Sequence, residues 1–171
     1  MPNVFLSRMP AGIPGTVTRS EHSTIEPQVM DANYPVTVYG VPVKFVSGLV
    51  RPIAAADTVA TVVQGFLVRP FPTQNLAAGS EALGTATPSL VNAGDIMKRG
   101  YMMIKVNASV PSAVPAKGGV VYCRKTDHGA GEYLVGGVES DADSAKCEAI
   151  PGCYFTGAMD ANGNCEIAYN I

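Results

Sequence analysis

Apolar and polar positions alternate most cleanly over residues 101–107, where Met102, Ile104 and Val106 share one parity and Tyr101, Met103, Lys105 and Asn107 the other. With Gly94-Asp95 in front as turn residues, the stretch 94–107 predicts a half-buried strand around which the chain is organised. A lone strand cannot pair its own backbone groups or cover its apolar face, so the apolar segments 120–125, 133–138, 153–159 and 165–171 are its predicted partners. The last of these places Cys165, Ile167, Tyr169 and Ile171 on one side and Glu166, Ala168 and Asn170 on the other. Before it, Asn162-Gly163 within residues 160–164 predicts a tight hairpin, because that dipeptide accepts positive φ. Pro151-Gly152 predicts a turn leading into the strand at 153–159.

Earlier in the chain, residues 36–39, 43–46 and 49–53 predict three short strands, with Pro52 suited to an edge or strand end. The β-branched run at 58–69 predicts a strand bent or split at Gly65 and stopped by Pro70-Phe71-Pro72. Residues 73–93 are small and polar and predict a long exposed loop, a length that suits a contact surface. A second loop is expected over 109–119. Residues 1–35 predict an extended N-terminal arm, with a short helical turn near 21–30 limited by Pro27. Val4, Phe5, Leu6, Ile13 and Val17 are too sparse to form a core and must anchor on this domain or a neighbour. Residues 36–171 then form a single β-domain.

Composition fixes the class. Among 171 residues, Gly 18 and Pro 13 interrupt every long helical pattern and leave short Val- and Thr-rich segments, so the fold is read as all-β. Charged residues make up 15%, against about 25% in ordinary soluble domains, which leans towards a subunit whose surface is partly covered by partners. A net charge of -2 supplies no basic stripe for nucleic acid. No window is long and apolar enough for a membrane helix, and the first residues lack a signal-peptide pattern, so retention in a cytoplasm is expected.

Candidate chemistry is sparse. Cys123, Cys147, Cys153 and Cys165 are spaced by 24, 6 and 12 residues, without the close pair of a zinc site, and are expected as buried free thiols. Cys123, Asp127 and His128 could form a nucleophile, orienter and base, but a polar hairpin turn is the preferred reading of that stretch. Glu139, Asp141 and Asp143 form an acidic loop that either holds a cation or is simply solvated. Asp160-x-Asn162-x-Asn164 starts like a calcium loop, yet Cys165 stands where Gly is needed and Ile171 where Glu is needed, so no metal or other cofactor is expected. An alternative class is a carbohydrate- or receptor-binding β-module presenting Tyr34, Tyr122 or Tyr133 on one surface.

Four stretches, taken in order, carry a resemblance: residues 9–15 (Met-Pro-Ala-Gly-Ile-Pro-Gly) with Thr18-Arg19, residues 39–43 (Tyr-Gly-Val-Pro-Val), residues 65–70 (Gly-Phe-Leu-Val-Arg-Pro) and residues 94–101 (Gly-Asp-Ile-Met-Lys-Arg-Gly-Tyr). Together they resemble the structural cement proteins of tailed phages, which are capsid decoration subunits. The resemblance implies a small β-barrel or jelly-roll-like β-sandwich, made in the host cytoplasm and bound to the outer surface of the virion. It further implies that the protein clamps neighbouring major capsid proteins as a homodimer or homotrimer, with no catalytic residues, no nucleic acid and no membrane partner. Phe5, Leu6, Ile13 and Arg19 of the arm are then the expected capsid or inter-subunit contacts, and residues 73–93 the second candidate.

Overall fold

The computed structural model describes residues 12–70, 87–88, 93–107, 114–127 and 133–171. The expected central strand is β5 (Ala93–Lys105), thirteen residues long. Around it lie β1 (Thr24–Val29), β2 (Pro42–Val46), β3 (Leu49–Pro52), β4 (Gly65–Leu67), β6 (Val120–Arg124), β7 (Val138–Glu139), β8 (Cys147–Phe155) and β9 (Asn164–Tyr169). They form one sheet in the order β3-β2-β4-β5-β9-β8-β6-β7, with β1 also on β5. The first half of β5 pairs antiparallel with β1 and β4, and its second half with β9. The all-β class holds.

Single bridges at both ends curl this sheet into two rings that share β5. At one end Met30 pairs with Val50, and the Asp31 amide donates to the Val50 carbonyl (3.1 Å), which links the end of β1 to β3. At the other, Val106 pairs with Val138, and the Asn107 amide donates to the Val138 carbonyl (2.9 Å), which links the end of β5 to β7. Side-chain alternation fills both interiors. Leu67 and Ile96 point into the smaller ring with Met30, Val43 and Val50, while their neighbours Phe66 and Met97 point into the larger core with Met102, Ile104, Val121, Phe155 and Ile167. Phe66 meets Tyr169 of β9 edge-on at 5.2 Å between centroids, which ties β4 to β9 within the larger core.

Several local expectations are corrected. Residues 24–29 are a strand and not a helical turn; only a 3-10 turn, Ser20–His22, precedes it. Residues 36–39 form no strand, although Val36 is buried in the smaller core. Within 58–69 the chain forms a helical turn, α1 (Val59–Val62), before β4, because Glu148 of β8 accepts the Ala60 amide at its N-terminus (3.2 Å) and Val59 is completely buried. Of residues 133–138 only Val138 is in a strand. Pro151-Gly152 lies inside β8, where residues 150–153 oppose the single Val121 in a wide bulge. In β9 the expected inward row is buried except Ile171, which is 47% exposed past the strand end. The hairpin before β9 is present, with positive φ at Gly163 (79°). The Asp160 carboxylate accepts the Asn162 and Asn164 amides (2.8 and 2.9 Å), so this stretch builds a turn.

Candidate functional site

The sequence places the functional contacts in the N-terminal segment, and its described part is built into the fold. Residues 12–18 run as a strap along the second half of β5. The Gly15 and Thr18 amides donate to the Met103 and Tyr101 carbonyls (2.7 and 3.0 Å), and the Met103 amide donates to the Thr16 carbonyl (2.9 Å). This pairing explains a departure from the expected half-buried β5. Met103 belongs to the outward parity, yet it is only 3% exposed, because the strap crosses it at Gly12. Continuing past the 3-10 turn, the same segment becomes β1, so residues 16–29 follow β5 antiparallel from Met102 to Ala93.

The strap is fixed at a junction of three chain segments. The Arg69 amide donates to the Gly15 carbonyl (2.8 Å), the Arg69 Nε donates to the Pro14 carbonyl (2.9 Å), and the Arg69 guanidinium lies over the Tyr39 ring at 4.5 Å. Gly15 (φ 89°) and Gly40 (φ 78°) cross here. A Cβ on Gly40 would lie 2.7 Å from the Gly15 amide nitrogen, and one on Gly15 would lie 2.6 Å from the Tyr39 Cβ. Only glycine permits that approach. Residues 12–15, the described part of the first quoted stretch, therefore meet 39–43 and 65–70 beside β5, which holds 94–101.

Arg19 is held on the protein's own surface. Its Nη2 donates to Glu166 Oε2 of β9 (2.8 Å), and its guanidinium lies 4.0 Å from the centroid of the Tyr101 ring. Thr18 and Thr156 hydroxyls donate to the same carboxylate (2.5 and 2.6 Å). Burial opposes charge on Glu166, but the hydrogen bonds from Thr156, Thr18 and Arg19 outweigh it and hold the carboxyl below the usual range. Ile13 lies half-buried at the strap's turn, where its carbonyl accepts the Thr16 amide (3.1 Å). Phe5 and Leu6 lie outside the described residues, as does the 73–93 loop apart from Thr87, Pro88 and Ala93.

The enzyme-like candidates resolve into structure. Cys123 is completely buried, and burial pushes its thiol up to about 12, so it is not a ready nucleophile. His128 lies outside the described residues. Burial likewise raises Cys147 to about 12 and Cys165 to about 11; all four cysteines are free and buried. Among the described residues no group of three His, Cys, Asp or Glu side chains is placed to hold a metal. The acidic loop meets a cation of the chain's own. Arg124, completely buried in β6, donates to Glu139 (2.6 Å) and Asp143 (2.8 Å), with Tyr133 under its guanidinium at 4.6 Å. Burial opposes the charge on Arg124, but the hydrogen bonds to Glu139 and Asp143 outweigh it and stabilise the charged form. Sequence reasoning missed this ion network, because the parity of 120–125 puts Arg124 on the outer side of β6, and the residues that bury it there come from later in the chain.

That burial also removes Tyr133 from any shared aromatic surface; Tyr34 is exposed under Arg51 at 4.1 Å, and Tyr122 is half-buried. A cleft of about 230 Å³ beside the junction has Tyr39, Arg69 and Lys105 as its ionisable lining, and one of about 380 Å³ near Val36 and Ile53 has none. Neither offers an acid–base pair. What stands out instead is the strap and the sheet face it crosses.

Comparison with known proteins agrees with that emphasis on structure over chemistry. No curated protein sequence matches the chain. A structure described as "The capsid of Myoviridae Phage XM1" contains a similar chain, with a TM-score of 0.67 over 98% of this chain and 96% of that one. At 18% identity that likeness is one of fold. The family model described as structural cement protein (E217 gp24/Pam3 gp6) matches residues 1–170, and the chain therefore belongs to the phage structural cement protein family.

Proposed function

We propose that the protein binds the outer surface of a phage capsid and cements neighbouring major capsid proteins against the pressure of packaged DNA. The observation that carries this reading is the family match along residues 1–170. Membership in a structural family supports a virion role and association with capsid proteins, without enzymatic activity. The physics of a clamp adds to it. A subunit contacting two or more capsid proteins must release several contacts at once before the lattice opens, so modest contacts combine into slow release. Copies of this chain would cluster as dimers or trimers at local symmetry axes, which multiplies the contacts again.

The arm supplies the reaching contact, with Phe5 and Leu6 as anchors and the strap as its root; Ile13 and Arg19 orient that root. Residues 1–11 precede the described strap, so their removal leaves the hydrogen bonds from Gly15 onward available. The expected outcome of that truncation is loss of co-sedimentation with expanded capsid shells lacking the protein, while the purified domain still melts cooperatively. Full binding by the truncated protein would show that the arm is not the contact, and absence of binding by the intact protein would remove the capsid reading.

A further inference from the structure

Cross-strand partners share a face of a sheet, which makes one row on the outside of the larger ring readable from the register. Val120 pairs with Tyr154, Tyr154 with Ala168, and Ala168 with Tyr101, so these four side chains form a continuous line across β6, β8, β9 and β5. The line faces outward, since Met102 and Ile167, the sequence neighbours of Tyr101 and Ala168, are completely buried in the core. Val120 and Tyr154 are 47% and 36% exposed, whereas Ala168 between the two tyrosines has no exposed surface. Such a line spans roughly 15 Å at ordinary strand spacing.

Beside the row Arg19 and Glu166 neutralise each other, while Arg99, two positions before Tyr101 on β5, is exposed and makes no ion pair among the described residues. Arg19 caps Tyr101 and is paired with Glu166, the outward residue two positions from Ala168 on β9. The face is therefore rich in tyrosine and valine, and edged by a satisfied Arg–Glu pair and the exposed Arg99. That is the composition of a protein–protein contact, where aromatic residues and Arg are enriched. Neither the Tyr101 nor the Tyr154 hydroxyl has a partner among the described residues, which leaves two donors for a polypeptide surface.

We infer that this row, Tyr101–Ala168–Tyr154–Val120, is the face that docks on the major capsid protein. The inference rests on the capsid-binding reading above and assigns it a surface. Continuity selects the capsid as occupant. Met103 lies on the same outward face of β5, beside Glu166 in the register, and it is covered by the strap at Gly12, from which residues 1–11 extend. A capsid surface that engages the chain at Gly12, over Met103, meets this row two positions away along β5.

The test compares Tyr154→Glu and Val120→Glu with the wild type, using the full chain and expanded shells that lack it. Val29→Glu on β1, 56% exposed and distant in the register from the row, is the control. Each row variant is expected to lose at least tenfold in shell occupancy, with the melting temperature and the oligomeric state in solution unchanged, and Val29→Glu is expected to bind as the wild type does. If the wild type binds shells and both row variants bind equally well, the face assignment is overturned and the cement reading stands. If the wild type itself does not bind, both fall. A row variant that keeps shell binding but changes the oligomeric state overturns the assignment in favour of a contact between copies.

Discussion

The larger ring is closed by the Val106–Val138 bridge, near which Arg124 and its two carboxylates are buried on the outer side of β6 and β7, whereas the smaller ring is closed by the Met30–Val50 bridge, beside which the half-buried Arg51 pairs with the buried Asp31 at 2.7 Å. Their interiors differ in the same sense. The larger core gathers side chains from β4 through β9 and admits Phe66 and Met97 from the shared strands, while the smaller core is a single layer of mostly Val, Leu and Ile. The difference teaches that the larger ring combines the deeper core with the more deeply buried ion pair. The smaller ring depends on segments far apart in the chain meeting in one place.

The sharpest way to break the comparison is Arg124→Met. It leaves Glu139 and Asp143 without their counter-ion in a buried site, and the expected loss is about 3–5 kcal/mol in urea unfolding. Retained stability would mean that the network is relaxed by water and that the larger ring is not locked by it. Gly40→Ala should follow, at about 2–4 kcal/mol, since the new Cβ meets the Gly15 backbone and the φ is left-handed. Hydrogen exchange should show the loss concentrated at Gly15, Thr18 and Met103, and uniform loosening of β8 and β9 would contradict a local role for this junction. Arg19→Ala removes a partly exposed pair and should cost under about 1 kcal/mol. Its readout is faster cleavage near the strap at an unaltered melting curve.

The smallest effect is a pH dependence. Glu166 has a lower folded than unfolded pKa, so its contribution is complete above the ordinary glutamate value of 4.5 and fades as pH falls through the lower folded value. The melting difference between wild type and Glu166→Gln should therefore shrink between neutral pH and pH about 3. A difference that grows on acidification would mean that Arg19 and the two threonines do not stabilise the charged form.

What the sequence discloses is confined to segments whose own pattern determines their state. The inward residues of β5 and β9 were legible because period-two alternation needs no knowledge of the partner, and the hairpin at Gly163 because its dihedral demand is local. β1 was not, because Thr24–Val29 is exposed or half-exposed throughout and carries no apolar alternation; it is a strand only because β5 supplies its hydrogen bonds. The β-branched residues of α1 read as strand, and a carboxylate from β8 reverses that preference. Arg19 was singled out as an external contact and is paired within the domain, since Glu166 lies 147 residues away in the chain. The fold class was thus readable, while the junction at Gly15 and the outward tyrosine row depend on register.

The strap has a mechanical consequence. Tension applied at Gly12 along the direction of β5 loads the bonds at Gly15, Thr16 and Thr18 together, in shear, whereas tension directed away from the sheet opens them one after another. The same three hydrogen bonds therefore resist sliding far better than peeling, and the strength of the attachment is set by the direction of the pull as much as by the number of bonds.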